Sequence, residues 1–174
     1  LTGDYSVSID MLFPDAGNLK EYCWAYGLSN GTEQFVGLIN TANNTNWYYT
    51  IKNRSSAEDI KSGSGLSYNE WHNVTMTKQG NIGRIYVDGY LLKELTSILS
   101  PADIASTITE AYLGRSPFSA DACISNAYFD NFQIFGEALT AQQVRQLYED
   151  VNGRSICSST AIIDTELTAL MVYG

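Results

Sequence analysis

The most regular hydrophobic pattern of this chain lies at residues 69–92. Apolar and polar side chains alternate at residues 73–77 and again at 85–87, which is the period of a strand with one apolar face. The dipeptide Asp88-Gly89 supplies the two positive-φ residues of a type I′ turn, the strongest short-range signal for a hairpin. The middle of the chain is therefore predicted to be an antiparallel β-meander.

Other apolar stretches predict further strands along most of the chain. Their spacing of about 8 to 12 residues, with turn residues between them, is typical of two packed antiparallel sheets. Outside the meander, the predicted strands cover residues 5–13, 21–28, 34–40, 47–52, 110–113, 127–135 and 162–173. Residues 55–65 are predicted to form a long polar loop.

Two short helices are predicted to interrupt the strands. Ser100-Pro101 offers an N-cap followed by a proline at the first helical position. Thr140 and Gln143 form a capping box, and the apolar residues after them recur at helical spacing. The fold class is therefore all-β with one or two short helices.

Size and charge narrow the class of protein. A chain of 174 residues fits one domain that buries about 70% of its unfolded surface. Ten basic against nineteen acidic residues give a net charge of −9, which argues against phosphate-backbone binding and against anionic membranes. No apolar stretch approaches the roughly 20 residues of a membrane span. The sequence therefore predicts no nucleic-acid partner and no membrane insertion.

Four Asn-x-Ser/Thr sequons favour a secreted glycoprotein. They begin at Asn30, Asn43, Asn53 and Asn73, and chance alone gives about one or two in a chain so rich in Asn and Thr. Asn73 shares the polar face of its predicted strand, so a glycan there is expected to point to solvent. The alternative is that all four are unmodified surface asparagines.

Several short sequence motifs follow one another along the chain. They are S-V-S-I-D, E-W-H-N-V-T-M-T, G-R-I-Y-V-D-G, A-Y-L-G-R-S, A-Y-F-D-N-F-Q-I-F and E-A-L-T-A-Q-Q-V. Their order resembles the laminin-G-like branch of the concanavalin A-like lectin/glucanase superfamily, over about residues 5–148. The resemblance implies a jelly-roll sandwich of two antiparallel sheets, forming a single domain over residues 1–174. In that branch Trp71 begins a core strand, so this residue is assigned to structure.

The resemblance also implies a disulfide. Laminin-G-like domains often join a cysteine before the penultimate strand to one near the C-terminus, and Cys123 and Cys157 match those places. A loop of that length contributes roughly 3 to 4 kcal/mol in the chain-entropy model. Cys23 is then left over, and a buried apolar thiol is favoured over a cross-link to another chain. The cysteine spacing excludes a C-x-x-C metal or redox site, and a single histidine argues against zinc.

Calcium is the common ion of this superfamily, held at an edge of the sandwich by one or two acids and by backbone carbonyls. The resemblance implies Asp130 as a ligand, with Asp15, Asn18 and Asp121 as its partners at that edge. The alternative is that Asp130 caps or orients a loop.

Aromatic side chains are the candidate ligand-binding residues. Exposed rings that stack on sugar faces, helped by a few amide and carboxylate hydrogen bonds, are the expected device for glycan binding. Trp24, Tyr26, Trp47 and Tyr49 are the candidates. The alternative is that at least half of them are core residues, because sandwiches routinely bury aromatic side chains.

Catalysis is not expected from this sequence. The glucanases of the superfamily carry E-x-D-x-x-E along one strand, so that the acid and the nucleophile share a face, and no such word occurs here. His72 has the parity of Val74 and Met76, which favours a core or edge histidine over a general base. The chain is predicted not to be an enzyme.

The C-terminal part of the chain departs from the family pattern. The usual strand before Tyr5 is expected to be missing, and residues 158–174 are expected to form an extension with an extra edge strand at 162–173. That strand fills an edge position in its own domain or in a neighbouring molecule, because an open apolar edge invites aggregation.

These observations predict a non-catalytic module, extracellular or at the cell surface, that recognises a glycan or an extracellular protein. A structural subunit of an extracellular assembly is the alternative. It would be joined by strand donation, and Cys23 is a candidate for a covalent link. A glycoside hydrolase is the least favoured hypothesis.

Overall fold

The structure is a computed structural model of the chain. It describes residues 3–14, 21–27, 34–40, 47–53, 56–61, 66–96, 110–116, 118, 123, 124 and 126–151. The predicted helix at Ser100 and the predicted strand at residues 162–173 lie outside these residues.

Within the described residues, ten strands form two five-stranded antiparallel sheets. Sheet A consists of β1 (Tyr5–Leu12), β6 (His72–Gln79), β7 (Ile82–Val87), β8 (Tyr90–Thr96) and β10 (Tyr128–Phe135), in the order β10-β1-β6-β7-β8. Sheet B consists of β2 (Glu21–Gly27), β3 (Gln34–Asn40), β4 (Trp47–Asn53), β5 (Ser56–Lys61) and β9 (Glu110–Leu113), in the order β5-β4-β3-β2-β9. The predicted all-β jelly-roll sandwich is confirmed.

The predicted antiparallel meander is confirmed by the pairing of its strands. β6, β7 and β8 pair in sequence, with Val74 opposite Val87 and Val87 opposite Tyr90. Asp88 and Gly89 have φ angles of 50° and 79°, which are the left-handed conformations that a type I′ turn requires. The local sequence alone was sufficient to place this turn.

One strand was missed. Residues 55–65 were predicted to be a loop, but Ser56–Lys61 forms β5 and pairs with β4 from Tyr48 opposite Lys61 to Asn53 opposite Ser56. The sequence S-A-E-D-I-K has no alternating apolar pattern because edge strands need not bury one whole face. Backbone pairing with β4 defines this strand.

The main core lies between the two sheets. The apolar face of sheet A meets the rings of Trp24 and Tyr26, which stack with centroids 6.3 Å apart. Val7, Ile9, Met11, Val74, Met76 and Ile85 are at most 1% exposed. Cys23 is also fully buried there.

The helix α1 (Ala141–Val151) covers part of the outer face of sheet A. The predicted capping box forms, because the Gln143 side chain accepts from Thr140 N at 2.8 Å and Thr140 Oγ1 accepts from Gln143 N at 3.2 Å. Val144 and Leu139 pack against Tyr86 of β7. In the part of the chain that the structure describes, no helix is long and apolar enough to cross a membrane.

The polar face of β6 is buried, which the sequence did not predict. Thr75 and Thr77 are fully buried and Asn73 is 3% exposed. Asn73 Nδ2 donates to Ser8 Oγ at 3.0 Å and to Asp10 Oδ1 at 2.8 Å. Strand alternation separates two faces but does not say which face meets water, so this face holds a hydrogen-bonded network instead.

Candidate functional site

One end of sheet A brings exposed aromatic and fixed polar side chains together. Met11, near the end of β1, lies opposite His72 at the start of β6, and Val87, at the end of β7, lies opposite Tyr90 at the start of β8. The side chains at this end are called the rim from here on. The rim consists of Ser67, Glu70, Trp71, His72, Asp88 and Tyr90.

The rim exposes two large rings. Trp71 is 49% exposed and Tyr90 is 63% exposed. Trp71 directly precedes β6 and Tyr90 begins β8, so β7 lies between them. Tyr90 lies in one row with Val87 and Val74, and Trp71 lies three residues beyond that row, so the two backbones are about 14 Å apart. Two exposed rings at such a separation can contact different units of an extended ligand.

Tyr90 is held from one side by α1. The Arg145 guanidinium lies 4.0 Å from the centre of the Tyr90 ring, a cation–π geometry. Nε of Arg145 donates in turn to Glu149 Oε1 at 2.5 Å. One face of the ring is therefore occupied, and the helix fixes the side chain in place.

His72 and Asp88 form the polar centre of the rim. His72 Nδ1 lies 2.7 Å from Asp88 Oδ2, and Asp88 Oδ1 accepts from Asn73 N at 2.9 Å. The backbone pair Asp88 N to Asn73 O closes the same junction at 2.9 Å. The carboxylate is therefore held through both oxygens, and it ties the hairpin turn to the start of β6.

Ser67 and Glu70 complete the polar cluster. The Ser67 hydroxyl donates to Glu70 Oε2 at 2.5 Å, and Ser67 Oγ lies 2.8 Å from His72 Nε2. The order Ser67, His72, Asp88 resembles a nucleophile, a base and an acid. The same hydroxyl oxygen, however, also lies 2.5 Å from Glu70 Oε2, so the single serine proton has two competing acceptors, the Glu70 carboxylate and the His72 ring.

The charge environment agrees with this geometry. The hydrogen bond to Asp88 raises the pKa of His72 above its ordinary value, against an opposing effect of burial. The negative charges of Asp88 and Glu70 act in the same upward direction. The His72 side chain is 13% exposed and lies between two carboxylates, with Asp88 Oδ2 at 2.7 Å from Nδ1 and Glu70 Oε2 at 4.0 Å from Nε2.

Two of the predicted ligand-binding aromatics lie in the core. Trp24 is 3% exposed and Tyr26 is 9% exposed, and both pack between the sheets. Burial also raises the pKa of the Tyr26 hydroxyl far above its ordinary value. The expectation of exposed platforms is corrected for these two rings, because their faces are already covered by core side chains.

The other two predicted aromatics lie on β4. The backbone of Trp47 pairs with Asn40 and that of Tyr49 with Leu38. Their side chains lie outside the described part of the structure, so their role in binding stays a prediction.

The residues predicted to bind calcium do not form a site within the described residues. Asp130 is exposed and its Oδ1 accepts from Asn131 N at 2.8 Å. The nearby Asp10 already accepts from Asn73 and Asn131. No group of three or more His, Cys, Asp or Glu is placed to hold a metal in the described ranges, and calcium binding through Asp130 stays a prediction.

Asp15, like Asn18 and Asp121, lies outside the described residues. Calcium binding through Asp15 therefore stays a prediction, and Asp130 alone is too few oxygen ligands for this ion.

The predicted glycan at Asn73 is contradicted. The Asn73 Nδ2 atom, which a glycan would modify, is buried and donates to Ser8 and Asp10. Of the other sequons, Asn53 is placed by its backbone at the end of β4, and Asn30 and Asn43 lie outside the described residues. These three stay predictions.

The cysteines separate into a buried and an exposed thiol. Cys23 is fully buried in the core, which confirms the buried alternative and removes it as a cross-link to another chain. Cys123 is exposed and carries no disulfide in the structure. Because Cys157 lies outside the described residues, the Cys123–Cys157 disulfide stays a prediction.

Sequence reasoning missed the two rings that the rim exposes. Trp71 was assigned to the scaffold, but it lies just before β6 begins, where the sheet no longer covers it. Tyr90 follows the Asp88-Gly89 turn directly. The usable signal was position beside a tight turn, because binding residues concentrate where loops leave a rigid scaffold.

Solved structures with the same architecture include carbohydrate-binding domains. The CBM40 domain of a Ruminococcus gnavus sialidase, bound to α2,3-sialyllactose, matches with a TM-score of 0.71 and 10% identity, covering 84% of this chain and 83% of that one. Domain 4 of the Geobacillus stearothermophilus arabinanase AbnA, in complex with arabinotriose, matches with a TM-score of 0.69 and 16% identity. The match covers 84% of this chain and 67% of that one. At these identities the likeness shows the fold.

Binding domains of toxins share this architecture as well. The binding domain of botulinum neurotoxin serotype C1 matches with a TM-score of 0.62 and 18% identity, covering 86% of this chain and 37% of that one. Comparison with proteins of curated function gives no significant match. The model of the Laminin_G_3 family, described as concanavalin A-like lectin/glucanases superfamily, matches residues 3–145. This chain therefore belongs to that family.

Proposed function

We propose that this domain is a non-catalytic recognition module that binds a glycan at the rim. The observation that carries the proposal is the pair Trp71 and Tyr90, exposed on either side of β7 at the same end of sheet A. Sugar rings present C–H faces that pack on open aromatic faces, while their hydroxyls need fixed hydrogen-bonding groups nearby.

The polar groups of the rim can supply the hydrogen bonds that sugar hydroxyls need. The Asp88 carboxylate is held at its two oxygens by His72 and by Asn73 N, and Glu70 Oε2 accepts from the Ser67 hydroxyl. Because the Glu70 side chain is 67% exposed, its free carboxylate oxygen can accept from a ligand hydroxyl. Preorganised groups of this kind lower the entropy lost on binding.

The similar structures support binding over catalysis. The CBM40 domain carries sialyllactose and the arabinanase domain carries arabinotriose. In this chain the nearest arrangement to a catalytic one, Ser67 with His72, has its serine proton engaged by Glu70. Recognition is therefore the function that the rim supports best.

An extracellular or cell-surface setting belongs to the same proposal. The sequons at Asn30, Asn43 and Asn53, and the proposed Cys123–Cys157 bond, are features of an oxidising, glycosylating compartment. Glycans displayed outside the cell are then the natural partners. Calcium through Asp130 and Asp15 remains part of the proposal as a second, independent determinant.

Binding to a glycan array tests the proposal, with sialyllactose and arabinotriose as the first individual probes. For any glycan bound, Trp71→Ala and Tyr90→Ala are each expected to raise Kd about tenfold, which corresponds to ~1.4 kcal/mol. Leu95→Ala is the matched control, because Leu95 is an exposed apolar residue at the far end of β8. Absence of binding to every glycan, or equal loss in the control, would refute the proposal.

A further inference from the structure

A small cavity lies between the start of α1 and the outer face of sheet A. Its volume is about 270 Å³, and it is lined by Gln79, Arg84 and Tyr86 of the sheet and by residues 138–141, which lead into α1. A cavity of this size holds several water molecules but lies below the range of about 300 to 1,000 Å³ that is typical for drug-sized ligands. The cavity therefore suits a small ligand.

The cavity is distinct from the rim. None of its lining residues belongs to the rim. Arg84 and Asp88 lie four residues apart along β7 and the turn that follows it, which is about 13 Å of extended chain. Binding at the two places can therefore be tested separately.

The N-terminus of α1 contributes donors that its own cap does not use. Thr140 N donates to Gln143 Oε1, and Gln143 N donates to Thr140 Oγ1. Because the first four N–H groups of a helix have no partner within it, the capping box leaves those of Ala141 and Gln142. The first turn of α1 carries no acidic side chain, so no residue of that turn balances the positive end of the helix dipole.

Arg84 brings a full positive charge to the same cavity. Its Nε donates to Glu94 Oε2 at 2.6 Å, and its Nη1 lies 3.5 Å from Gln79 Oε1. The ion pair with Glu94 uses Nε, so the Nη groups retain N–H donors for a further acceptor. A planar guanidinium presents such donors in the geometry that a carboxylate or a phosphate requires.

The lining is rich in donors and poor in negative charge. None of the lining residues, which all belong to the described part of the chain, is acidic. Glu94 offsets part of the charge of Arg84, and Glu137 directly precedes the lining residue Ala138. The acidic surface of the whole chain disfavours a polyanion, whereas a single oxyanion needs only the donors within the cavity.

A buried hydroxyl without a partner lies beside the cavity. Thr77 is fully buried, and its Oγ1 meets no hydrogen-bond partner among the described residues. Thr77 lies directly opposite Arg84 in the pairing of β6 with β7, so the two share a face of sheet A. Tyr86, which is 3% exposed, lines the cavity on the same face.

The hydroxyls of Thr77 and Tyr86 are neighbours. Burial raises the pKa of Tyr86, and Arg84 and Thr77 act in the opposite direction. A buried polar group without a partner costs free energy, and most such groups are satisfied by protein, water or a bound molecule. A ligand that accepts from the Tyr86 hydroxyl orients its oxygen to accept from Thr77, which gives the buried hydroxyl its partner.

We propose that this cavity binds a small oxyanion, which is a carboxylate, phosphate or sulfate group. The N–H groups of Ala141 and Gln142 and the Nη groups of Arg84 donate to its oxygens, and the Tyr86 hydroxyl donates from the side of the sheet. A free inorganic anion and the acidic group of a sugar share this chemistry.

A titration followed by amide-resolved NMR tests the proposal, at constant ionic strength with chloride as the reference salt. The probes are inorganic phosphate, inorganic sulfate and glucuronate, and glucose is the neutral counterpart of glucuronate. The amide resonances of Ala141 and Gln142 are expected to shift saturably with at least one of the three anions, with a Kd on the order of 1 mM. Glucose is expected to cause no such shift.

The relative affinities distinguish the two sources of the anion. Tighter binding of phosphate or sulfate than of glucuronate identifies a site for a free inorganic anion. Tighter binding of glucuronate identifies a site for an acidic sugar. Both results support the oxyanion site.

Two substitutions remove single donors from the sheet side. Arg84→Gln is expected to raise Kd about tenfold. Tyr86→Phe keeps the ring that packs against Leu139 and Val144 and is expected to raise Kd about threefold. Arg115→Gln is the matched control, because Arg115 is exposed and stacks on Tyr112 of β9 in sheet B. It is expected to change Kd by less than about twofold.

Ala141→Pro removes a donor from the helix side and leaves the ion pair of Arg84 intact. Proline is favoured at the first position of a helix, so α1 is retained while one N–H is lost. Binding is expected to weaken about tenfold. Urea unfolding of each variant verifies that the domain remains folded.

Three results would overturn the proposal. The first is a shift that does not saturate with any of the three anions. The second is equal affinity for glucose and glucuronate, which would mean that charge plays no part. The third is an equal loss of affinity in Arg84→Gln and Arg115→Gln, which would mean that the anions respond to the overall charge of the protein.

Discussion

Nδ1 of His72 lies 2.7 Å from Oδ2 of Asp88, and this contact joins the start of β6 to the turn between β7 and β8. Asp88 has a positive φ angle of 50°, and its carboxylate reaches His72 and Asn73 of the neighbouring strand β6. One hydrogen bond thus couples the geometry of the hairpin turn to the place where Trp71 and Tyr90 leave the sheet. The rim is built on the most strongly determined turn of the chain.

The first prediction concerns the pH dependence of stability through His72. Its pKa is raised in the folded protein, so the stabilisation by protonated His72 is fully present below the ordinary value of about 6.5. It is lost as the pH rises from there through the folded pKa. We expect the free energy of unfolding in urea to fall over that window, and His72→Gln to remove this part of the slope.

The chain has a single histidine, so the ring proton resonances of His72 can be followed by NMR without assignment. A titration midpoint at or below that of a model peptide would contradict the first prediction. Asp88→Asn is the second control, because it keeps a residue that tolerates positive φ but removes the charge. It is expected to lower the midpoint.

The second prediction compares two glycines with positive φ. A Cβ on Gly89 would lie 2.9 Å from Arg145 Cδ and 3.2 Å from Arg145 Cα, whereas a Cβ on Gly80 would meet nothing within 4 Å. Gly80→Ala is expected to cost about 1 kcal/mol from backbone strain alone. Gly89→Ala is expected to cost about 1 to 3 kcal/mol more, because α1 must move.

Urea unfolding of the two variants gives the difference directly. Equal losses of stability would mean that α1 does not pack against the hairpin turn. The chemical shifts of Tyr90 provide an independent reading, since displacement of Arg145 from its ring in Gly89→Ala changes the local ring environment.

The third prediction concerns Asn73. In a glycosylating host, peptide mapping by mass spectrometry is expected to find Asn73 unmodified, because its Nδ2 atom is buried against Ser8 and Asp10. Asn73→Ala is expected to lower the free energy of unfolding by about 1 to 3 kcal/mol, since Asp10 and Thr75 lose a partner.

Asn81 is the matched control for this substitution. It is exposed in the turn between β6 and β7, so Asn81→Ala is expected to change stability by less than about 0.5 kcal/mol. A glycan found on Asn73, or equal effects of the two substitutions, would contradict the buried network.

The fourth prediction concerns the cysteines. Under native conditions an alkylating reagent is expected to leave Cys23 unmodified, because it is fully buried, and to modify it after unfolding. Cys123 is exposed, so it is either alkylated or already oxidised. Non-reducing peptide mapping distinguishes these outcomes, and a Cys123–Cys157 peptide would establish the proposed disulfide. Native modification of Cys23 would contradict its place in the core.

Much of the fold follows from local sequence. Alternation and the Asp88-Gly89 turn determined the meander, and Thr140 with Gln143 determined the start of α1. These features depend on backbone conformation and on groups within a few residues, which a sequence displays directly. β5 was missed because its pairing with β4 replaces the apolar pattern that a buried strand would need.

The candidate site depended on the tertiary structure. Alternation placed Trp24 and Tyr26 on one face of a strand and Asn73 on a polar face, but both faces proved to be buried. Trp71 looked like a core residue and is half exposed. The sequence by itself determined which residues share a face and where the chain turns. Only the packing of the second sheet and of α1 decided which faces meet water, because burial depends on groups brought together from distant parts of the chain.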